Sequence, residues 1–243
     1  MKIALLGYGK MGRIIDELAT TKGHEIVLRV SAENADTYPD AELQAAEVAI
    51  EFSRPAAAMI NYRRCLGLGI PVVSGTTGWL DQWEELEALV AEKQGAFFYA
   101  SNFSLGVNLF FALNRYLAKL TKPFPEYAAS IHEIHHTQKL DAPSGTAITL
   151  AEGIIANNAQ YDNWRTVAPT PNSQLKLPQL PIYSSRIDPT PGTHEISWRS
   201  AIDDLEIKHV AHSREGFAKG ALAAAEWLPG KQGMFGMNDL LNL

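Results

Sequence analysis

The sequence predicts an α/β protein in two parts: a doubly wound parallel sheet, and an α+β domain with a mixed sheet. Three observations support this. Short apolar runs alternate strictly with amphipathic segments over the first hundred residues. Beyond residue 120, strand-like runs follow one another with one clear helix among them. An Ala-rich helical segment near the C-terminus could return to the first part and complete its packing.

Hydrophobic spacing predicts the elements of the first part. Apolar residues recur every three or four positions in the helical segments, whereas the strand segments are short continuous apolar runs. The predicted strands are Ile3–Leu6, Glu25–Val30, Val48–Phe52, Pro71–Ser74 and Ala96–Ala100, and the predicted helices are Lys10–Thr21, Ala56–Leu66 and Asp81–Lys93. A long helix, Leu105–Leu120, then ends before Pro123 and Pro125.

The second part is richer in strands. The predicted strands are Tyr127–Ile134, Ile182–Ile187, His194–Arg199 and Leu205–His212, and the predicted helices are Thr146–Ala156 and the Ala-rich Glu215–Leu228. Asn, Pro, Thr and Gln dominate Asn157–Pro181, which predicts a long surface loop. Strands without intervening helices favour a mixed or antiparallel sheet, and hence a second domain.

Composition excludes several classes of protein. The 243 residues correspond to one large or two small domains, and a hydrophobic content of 46% is that of a globular chain rather than a disordered one. The net charge of −6 argues against nucleic-acid binding. No apolar run approaches the roughly 18 residues that a membrane span needs, and the apolar run at the N-terminus is too short for a signal peptide. With a single cysteine, Cys65, no internal disulfide can form, and we expect a cytoplasmic protein.

A glycine-rich motif lies between the first strand and the first helix. It reads Gly7, Tyr8, Gly9, Lys10, Met11 and Gly12. Glycines at this turn let the backbone approach a pyrophosphate, which the positive end of the helix attracts. A Gly-rich turn without a ligand is the alternative, but the strand–turn–helix context favours a Rossmann-type dinucleotide site. An acidic residue is expected about 20 positions later. Ser31 or Ala32 occupies that position and Glu33 follows further along the loop, so the choice between NADH and NADPH stays open.

Further segments follow other predicted strands. They are Phe52-Ser53-Arg54, Gly75-Thr76-Thr77-Gly78 and Asn102. Because ligands of open sheets lie beyond the carboxyl ends of the strands, these segments are candidates for facing the cofactor. A simple turn is an equal alternative for the Gly75–Gly78 segment.

A third motif, Glu133–Thr146, concentrates proton donors beside a predicted helix N-terminus. It holds His135, His136 and Lys139, and Ser144 or Thr146 can cap the new helix. Backbone N–H groups at Gly145 and Thr146 would attract an anion. The motif therefore predicts a pocket for a carboxylate with acids close by, against the alternative of a solvated basic loop.

The same stretch matches the zinc-binding pattern H-E-x-x-H, through His132, Glu133 and His136. That chemistry requires a helix, which places both imidazoles on one face. The segment is predicted to be extended, which puts the two histidines roughly 13 Å apart at ~3.3 Å per residue. We therefore expect no zinc site of this kind and no peptidase activity.

The motifs together resemble the 4-hydroxy-tetrahydrodipicolinate reductase (dihydrodipicolinate reductase) family. The segment Glu133–Ala147 is similar to the family signature E-x-H-H-x-x-K-x-D-A-P-S-G-T-A, which is long and specific. Other segments also match in order: Phe52–Pro55, Gly75–Gly78, Asn102–Asn108, Ser213-Arg214, Phe217–Ala221 and Gly236–Asp239. The resemblance covers nearly the whole chain.

The resemblance implies an NAD(P)H-dependent reductase of the diaminopimelate and lysine pathway, acting on a small dicarboxylate as a homotetramer. It implies a Rossmann domain over 1–103 and 214–243 and a substrate-binding and tetramerisation domain over 104–213. His135 would be the proton donor, with Lys139 as a second candidate. The implied substrate-binding residues are His136, Ser144, Gly145 and Thr146. The implied cofactor-binding residues are Gly7, Tyr8, Gly9, Lys10, Met11, Gly12, Ser31, Phe52, Ser53, Arg54, Gly75, Thr76, Thr77, Ala100, Asn102, Phe103 and Arg214.

The sequence departs from the family pattern at the cofactor site. The glycine loop is one residue shorter than the usual G-x-x-G-R-M-G, with Lys10 in place of arginine, and Ser31 replaces the acidic residue after the second strand. Neither departure affects the substrate signature. Two alternative functions are a related imine or amino-acid dehydrogenase and a non-catalytic dinucleotide sensor. The dicarboxylate signature weighs against the first, and the presence of both His135 and Lys139 weighs against the second.

Overall fold

The computed structural model describes residues 1–167, 178–213 and 215–243. The chain forms two compact units. The first comprises Met1–Leu105 and Glu215–Leu243, and the second comprises Gly106–Arg214. Each unit has its own sheet.

The elements follow in the order that the sequence pattern indicates, with additions. The first stretch holds β1 (Lys2–Leu6), α1 (Lys10–Thr21), β2 (Glu25–Val30), α2 (Asp40–Gln44), β3 (Val48–Glu51), α3 (Pro55–Gly67), β4 (Val72–Ser74), α4 (Trp83–Glu92) and β5 (Ala96–Tyr99). The remainder holds α5 (Leu105–Thr121), β6 (Ala128–His135), α6 (Gly145–Ile155), β7 (Asn163–Val167), β8 (Gln179–Arg186), β9 (Gly192–Arg199), β10 (Asp204–Ala211), α7 (Glu215–Trp227), β11 (Gly233–Phe235) and α8 (Met237–Leu241). Within the described ranges, no helix combines the length and apolar character needed to cross a bilayer.

The first unit is a doubly wound parallel sheet, as predicted. Its strands lie in the order β11-β5-β4-β3-β1-β2, all parallel. Successive residues of β1 pack into the hydrophobic cores on opposite faces of the sheet. Leu6 lies in the core that includes α3 and α4, and Leu5 in the core that includes α1 and α7. Burial on both faces explains why the strands are continuous apolar runs rather than alternating ones. The Ala-rich α7 does return to this unit, where it packs against α1.

The second unit has a mixed sheet in the order β10-β9-β6-β8-β7. β6 is antiparallel to β9 and parallel to β8. Helix α6 packs against β6, β7 and β8, and the core of the unit includes Ile131, Leu150, Ile182 and Trp198.

The long loop predicted over Asn157–Pro181 is wrong in two places. Asn163–Val167 forms β7, and Gln179–Pro181 belongs to β8, which pairs with β7 in parallel. The sequence of β7 is mostly polar and only Val167 is buried, so its apolar pattern is too weak to indicate a strand. Its extended form comes from pairing with β8. Residues 168–177, also part of that prediction, lie outside the described residues. The short elements α2, β11 and α8 were not predicted.

Candidate active site

One edge of the parallel sheet collects the segments predicted to bind the cofactor. β1, β3, β4 and β5 are neighbours in the sheet, and their carboxyl ends lead into Gly7–Gly12, Phe52–Arg54, Gly75–Thr77 and Ala100–Phe103. The Phe52 and Phe103 rings are in contact, with centroids 5.6 Å apart. The strand order reverses at β1, which has β2 on one side and β3 on the other. In open α/β sheets such a switch point forms the ligand crevice.

The glycine loop has the backbone that a dinucleotide turn requires. Gly7 has φ = 106°, and a Cβ on it would overlap the carbonyl oxygen of Phe52. A Cβ on Gly12 would overlap the carbonyl oxygen of Gly7, so helix α1 can approach the turn only because this residue is glycine. Gly9 precedes α1 as its N-cap and is exposed, as is Lys10. Gly9 and Lys10, at the start of α1, are therefore accessible to a ligand.

Behind this loop lies an ion pair that the sequence analysis missed. Asp16 is buried on α1, where it accepts hydrogen bonds from Tyr8 Oη at 2.6 Å and from Arg29 Nε at 2.6 Å. The bond from Arg29 is the main reason that the pKa of Asp16 lies below its usual value. The pair ties the loop to the end of β2. It also commits part of the Arg29 guanidinium to Asp16.

Ser31, just beyond β2, lies in a turn of its own. Its N–H donates to Asn34 Oδ1 at 2.7 Å, and its Oγ accepts from the N–H of Glu33 at 3.2 Å. The residue at the position of the expected acid is thus a neutral serine whose hydroxyl stabilises the local turn.

A buried carboxylate, Glu51, connects the two loops that follow β3 and β4 at this edge of the sheet. It is fully buried at the end of β3 and accepts hydrogen bonds from Ser74 Oγ at 2.9 Å and from the Ser53 N–H at 3.2 Å. The Ser53 hydroxyl also donates to Glu51. The Ser53 N–H reaches Thr76 Oγ1 at 2.8 Å as well, which links the loops after β3 and β4. Arg54, in contrast, is exposed and is the N-cap of α3.

In the second unit, Glu133, His135 and His194 form a buried cluster. Glu133 and His135 are two positions apart on β6 and therefore share a face. His194 lies on β9 directly opposite Glu133 in the antiparallel register. Nε2 of His135 is 3.5 Å from Oε2 of Glu133 and 3.4 Å from Nε2 of His194. The exposed fractions of these residues are 0%, 8% and 4%.

The Glu133 carboxylate is held in its ionised form. Its Oε1 lies 3.2 Å from Arg186 Nη2, and its Oε2 accepts a 3.0 Å hydrogen bond from the N–H of Ser144. Burial alone would raise the pKa of this carboxyl group, but hydrogen bonds, chiefly from His135 and Ser144, outweigh it and hold the pKa well below the usual range. Ser144 is the N-cap of α6, and its Oγ also lies 3.1 Å from Nε2 of His194. The cap connects the start of α6 to the cluster.

The other residues predicted for the substrate lie close in sequence to this cluster. Lys139 Nζ contacts both carboxylate oxygens of Asp141 at 2.8 Å. Gly145 is exposed in the first turn of α6, and Thr146 is half-buried. His136 follows the last residue of β6 and is half-buried.

Comparison with known proteins gives the family. A model described as "Dihydrodipicolinate reductase, N-terminus" matches residues 1–103, and one described as "Dihydrodipicolinate reductase, C-terminus" matches residues 106–241. The chain belongs to the dihydrodipicolinate reductase family. A relative from Christiangramia forsetii named 4-hydroxy-tetrahydrodipicolinate reductase is 46% identical over all of this chain and 98% of its own length. One with the same name from Methanosarcina barkeri is 32% identical over 97% of this chain and 83% of its own.

Solved structures confirm the fold. A dipicolinate-bound dihydrodipicolinate reductase from Paenisporosarcina sp. TG-14 matches with a TM-score of 0.77 at 20% identity, over 98% of both chains. An amine dehydrogenase from Mycobacterium smegmatis matches with a TM-score of 0.60 at 10% identity, over 97% of this chain and 94% of its own. The Rossmann-type sheet and the second, mixed sheet are thus confirmed as the fold of a dihydrodipicolinate reductase family member.

In this family member the H-E-x-x-H pattern is not a helical zinc motif. His132 lies on the extended β6 and His136 directly follows that strand, so the pattern is not helical, and His132 alternates to the other face from Glu133. Its Nε2 lies 2.9 Å from Ser185 Oγ. Arg214, predicted to contact the cofactor, lies outside the described residues. The sequence analysis did not single out His194 or Arg186, because their partners His135 and Glu133 are 59 and 53 residues away and only strand pairing brings them together.

Proposed function

We propose that this protein is an NAD(P)H-dependent reductase that converts 4-hydroxy-tetrahydrodipicolinate to tetrahydrodipicolinate in diaminopimelate and lysine biosynthesis. The product lacks the hydroxyl group of the substrate, so the reaction takes up a hydride and a proton and releases water. The observation that carries the proposal is the substrate signature, folded so that His135 stands beside an ionised Glu133 and next to the capped start of α6. The family membership and the 46% identical relative support it.

The second unit would bind the dicarboxylate. The first turn of α6, at the exposed Gly145 and the half-buried Thr146, has amide donors and the positive end of a helix dipole, which suit a carboxylate. Lys139 and His136 add donors, and the charge of Lys139 suits the dianion. His135 would deliver the proton, since an imidazole can act as an acid near neutral pH. Glu133 favours that role because a carboxylate stabilises an imidazolium.

The first unit would bind the dinucleotide along the edge that begins at Gly7–Gly12. The cofactor supplies the hydride, while the protein orients the nicotinamide and neutralises the substrate. Ser31 offers no carboxylate to a ribose hydroxyl, and Arg29 is paired with Asp16. These contacts support use of both NADH and NADPH.

We also propose a homotetramer built through the second unit. Strand β10 lies at the edge of the mixed sheet and exposes Leu205 and Val210 by 41% and 45%. Apolar side chains on an edge strand favour association. Sedimentation of the purified protein as a species of four chains is expected, and a monomer at assay concentrations would contradict this proposal alone.

The direct test of the proposed reaction follows oxidation of NADH and NADPH in parallel, with substrate made enzymatically just before use. Turnover of this substrate with either cofactor is expected. Turnover of other imines or of amino acids, with none of this substrate, would instead identify a related dehydrogenase.

Substitutions at His135 and Lys139 separate proton delivery from binding. His135→Gln should lower kcat by roughly 10²–10⁴, the usual contribution of general acid catalysis, with little change in KM. Lys139→Ala should lower kcat and raise KM, because it removes both a charge and a second donor. Thr146→Val should act mainly on KM. The matched control is His132→Gln, which changes the same strand on its other face. If His135→Gln had the same kcat as the parent protein across pH 6–8, the proton donor would be a group other than His135.

A further inference from the structure

The cluster of Glu133, His135 and His194 has a geometry that proton delivery does not require. Nε2 of both histidines and Oε2 of the glutamate lie close together. The three atoms are separated by 3.4 Å between the histidines, 3.5 Å from His135 to Glu133, and 3.8 Å from His194 to Glu133. Each residue offers one ligand atom of a kind that metal ions bind.

These separations match those of ligands around a single metal ion. Three atoms at these distances have a common point about 2.1 Å from each, which is the length of Zn–N and Zn–O bonds in proteins. Two imidazoles and one carboxylate form a donor set that binds Zn²⁺ while leaving further positions open. The set differs from the H-E-x-x-H pattern: it keeps Glu133 but uses His135 and the distant His194 instead of His132 and His136.

The surroundings hold these ligands in place and also weaken the site. Glu133 is fixed by Arg186 at Oε1 and by the Ser144 N–H at Oε2, so the carboxylate is already oriented. The positive charge of Arg186 beside the carboxylate opposes a cation. Nδ1 of His194 is buried and has no hydrogen-bond partner among the described residues, so this ligand lacks the usual second anchor. Both features favour reversible rather than permanent binding.

We propose that Glu133, His135 and His194 form a reversible inhibitory site for Zn²⁺ or a divalent ion of similar chemistry. The site itself is independent of the reaction. The inhibition rests on the proposed function. An imidazole that acts as an acid carries a proton on each ring nitrogen, and a metal ion bound to Nε2 of His135 takes the place of one of them. Metal-free protein should therefore be the active form.

Binding is tested without any enzymatic assay. Chelator-treated protein is titrated with CoCl₂, followed by the visible absorption of low-coordinate Co²⁺, and with ZnCl₂ by calorimetry. One ion per chain should bind, and Zn²⁺ should displace Co²⁺. His194→Gln and Glu133→Gln should weaken binding at least tenfold, whereas His132→Gln should bind like the parent. Circular dichroism verifies that each variant is folded. Absence of saturable binding to the parent protein overturns the proposal, whatever the variants do, and so does unchanged binding in folded His194→Gln.

Inhibition is then measured with the reductase assay. Activity should be full in EDTA, fall on addition of ZnCl₂ and return with excess chelator. The zinc concentration that halves the rate should rise at least tenfold in His194→Gln, each rate being compared with that variant's own metal-free rate. Metal binding without turnover in EDTA would refute the proposed function and leave the site standing. Turnover that saturating zinc does not reduce would refute the inhibitory role.

Discussion

Replacement of His194 by glutamine should remove an acid-sensitive part of the stability of the second unit. The imidazole is 4% exposed, opposite Glu133 in the sheet, with its Nε2 3.1 Å from Ser144 Oγ. Glutamine carries a polar group near the position of Nε2 but does not titrate. The variant therefore retains a hydrogen-bonding group while losing the ionisable one.

The magnitude follows from the pKa of His194 in the folded protein. Burial, and then the electrostatic effect of His135, lower this pKa from 6.5 to about 4. Because the unfolded chain takes up the proton near pH 6.5 and the folded chain only near pH 4, acid favours unfolding between these two values. At pH 5 this difference in proton uptake lowers the free energy of unfolding by about 2 kcal/mol, whereas at pH 7.5 the effect is close to zero.

Urea unfolding at pH 7.5 and pH 5.0 measures the difference, with EDTA present throughout to keep metal ions from the cluster. Tryptophan fluorescence reports on the core, where Trp198 is fully buried. From pH 7.5 to pH 5.0, the free energy of unfolding of the parent should fall by about 2 kcal/mol more than that of His194→Gln.

The control is Ser144→Ala, which removes the hydroxyl contact and the cap of α6 but keeps the imidazole. It should be destabilised by about 1 kcal/mol at both pH values, with the pH dependence of the parent. Equal losses in the parent and in His194→Gln would refute the reasoning, because His194 would then titrate alike in the folded and unfolded states.

Two predictions concern the first unit. A Cβ on Gly220 in α7 would overlap the carbonyl oxygen of Phe103, so Gly220→Ala should lower the free energy of unfolding by about 1–3 kcal/mol or more in thermal denaturation. Gly216→Ala on the same helix is the control, since the atom nearest to its new Cβ, Ser104 Oγ, would lie 3.5 Å away. Equal destabilisation of the two variants would contradict the steric argument. The preference between NADH and NADPH should stay below about a hundredfold, or ~2.7 kcal/mol. Ser31→Asp should shift the ratio of kcat/KM values at least tenfold towards NADH, because a carboxylate accepts from ribose hydroxyls and repels a 2′-phosphate. An unchanged ratio would place the specificity contact elsewhere, with Arg29 next to change.

The elements that depend on local pattern could be predicted from the sequence. The helical spacing of 10–21 and the apolar runs of β1 and β3 indicate their structure by themselves, because burial on one or both faces imposes the period. The Gly7–Gly12 turn is equally local, since its backbone needs glycine regardless of what lies further along the chain. By the same logic β7 was missed, as its polar sequence acquires extended structure only by pairing with β8.

The sequence by itself determined the parallel sheet, the glycine turn and the extended start of the Glu133–Thr146 segment, which rules out a helical zinc motif. Only the tertiary structure decided which side chains meet. His194 reaches Glu133 through the register of β6 with β9, and Arg186 through the register of β6 with β8. Asp16 and Glu51 likewise obtain their roles from partners on other elements. The physical reason is that strand register is set by burial and turn geometry over the whole sheet. A residue's own sequence neighbours therefore carry no information about the partner that stands across from it.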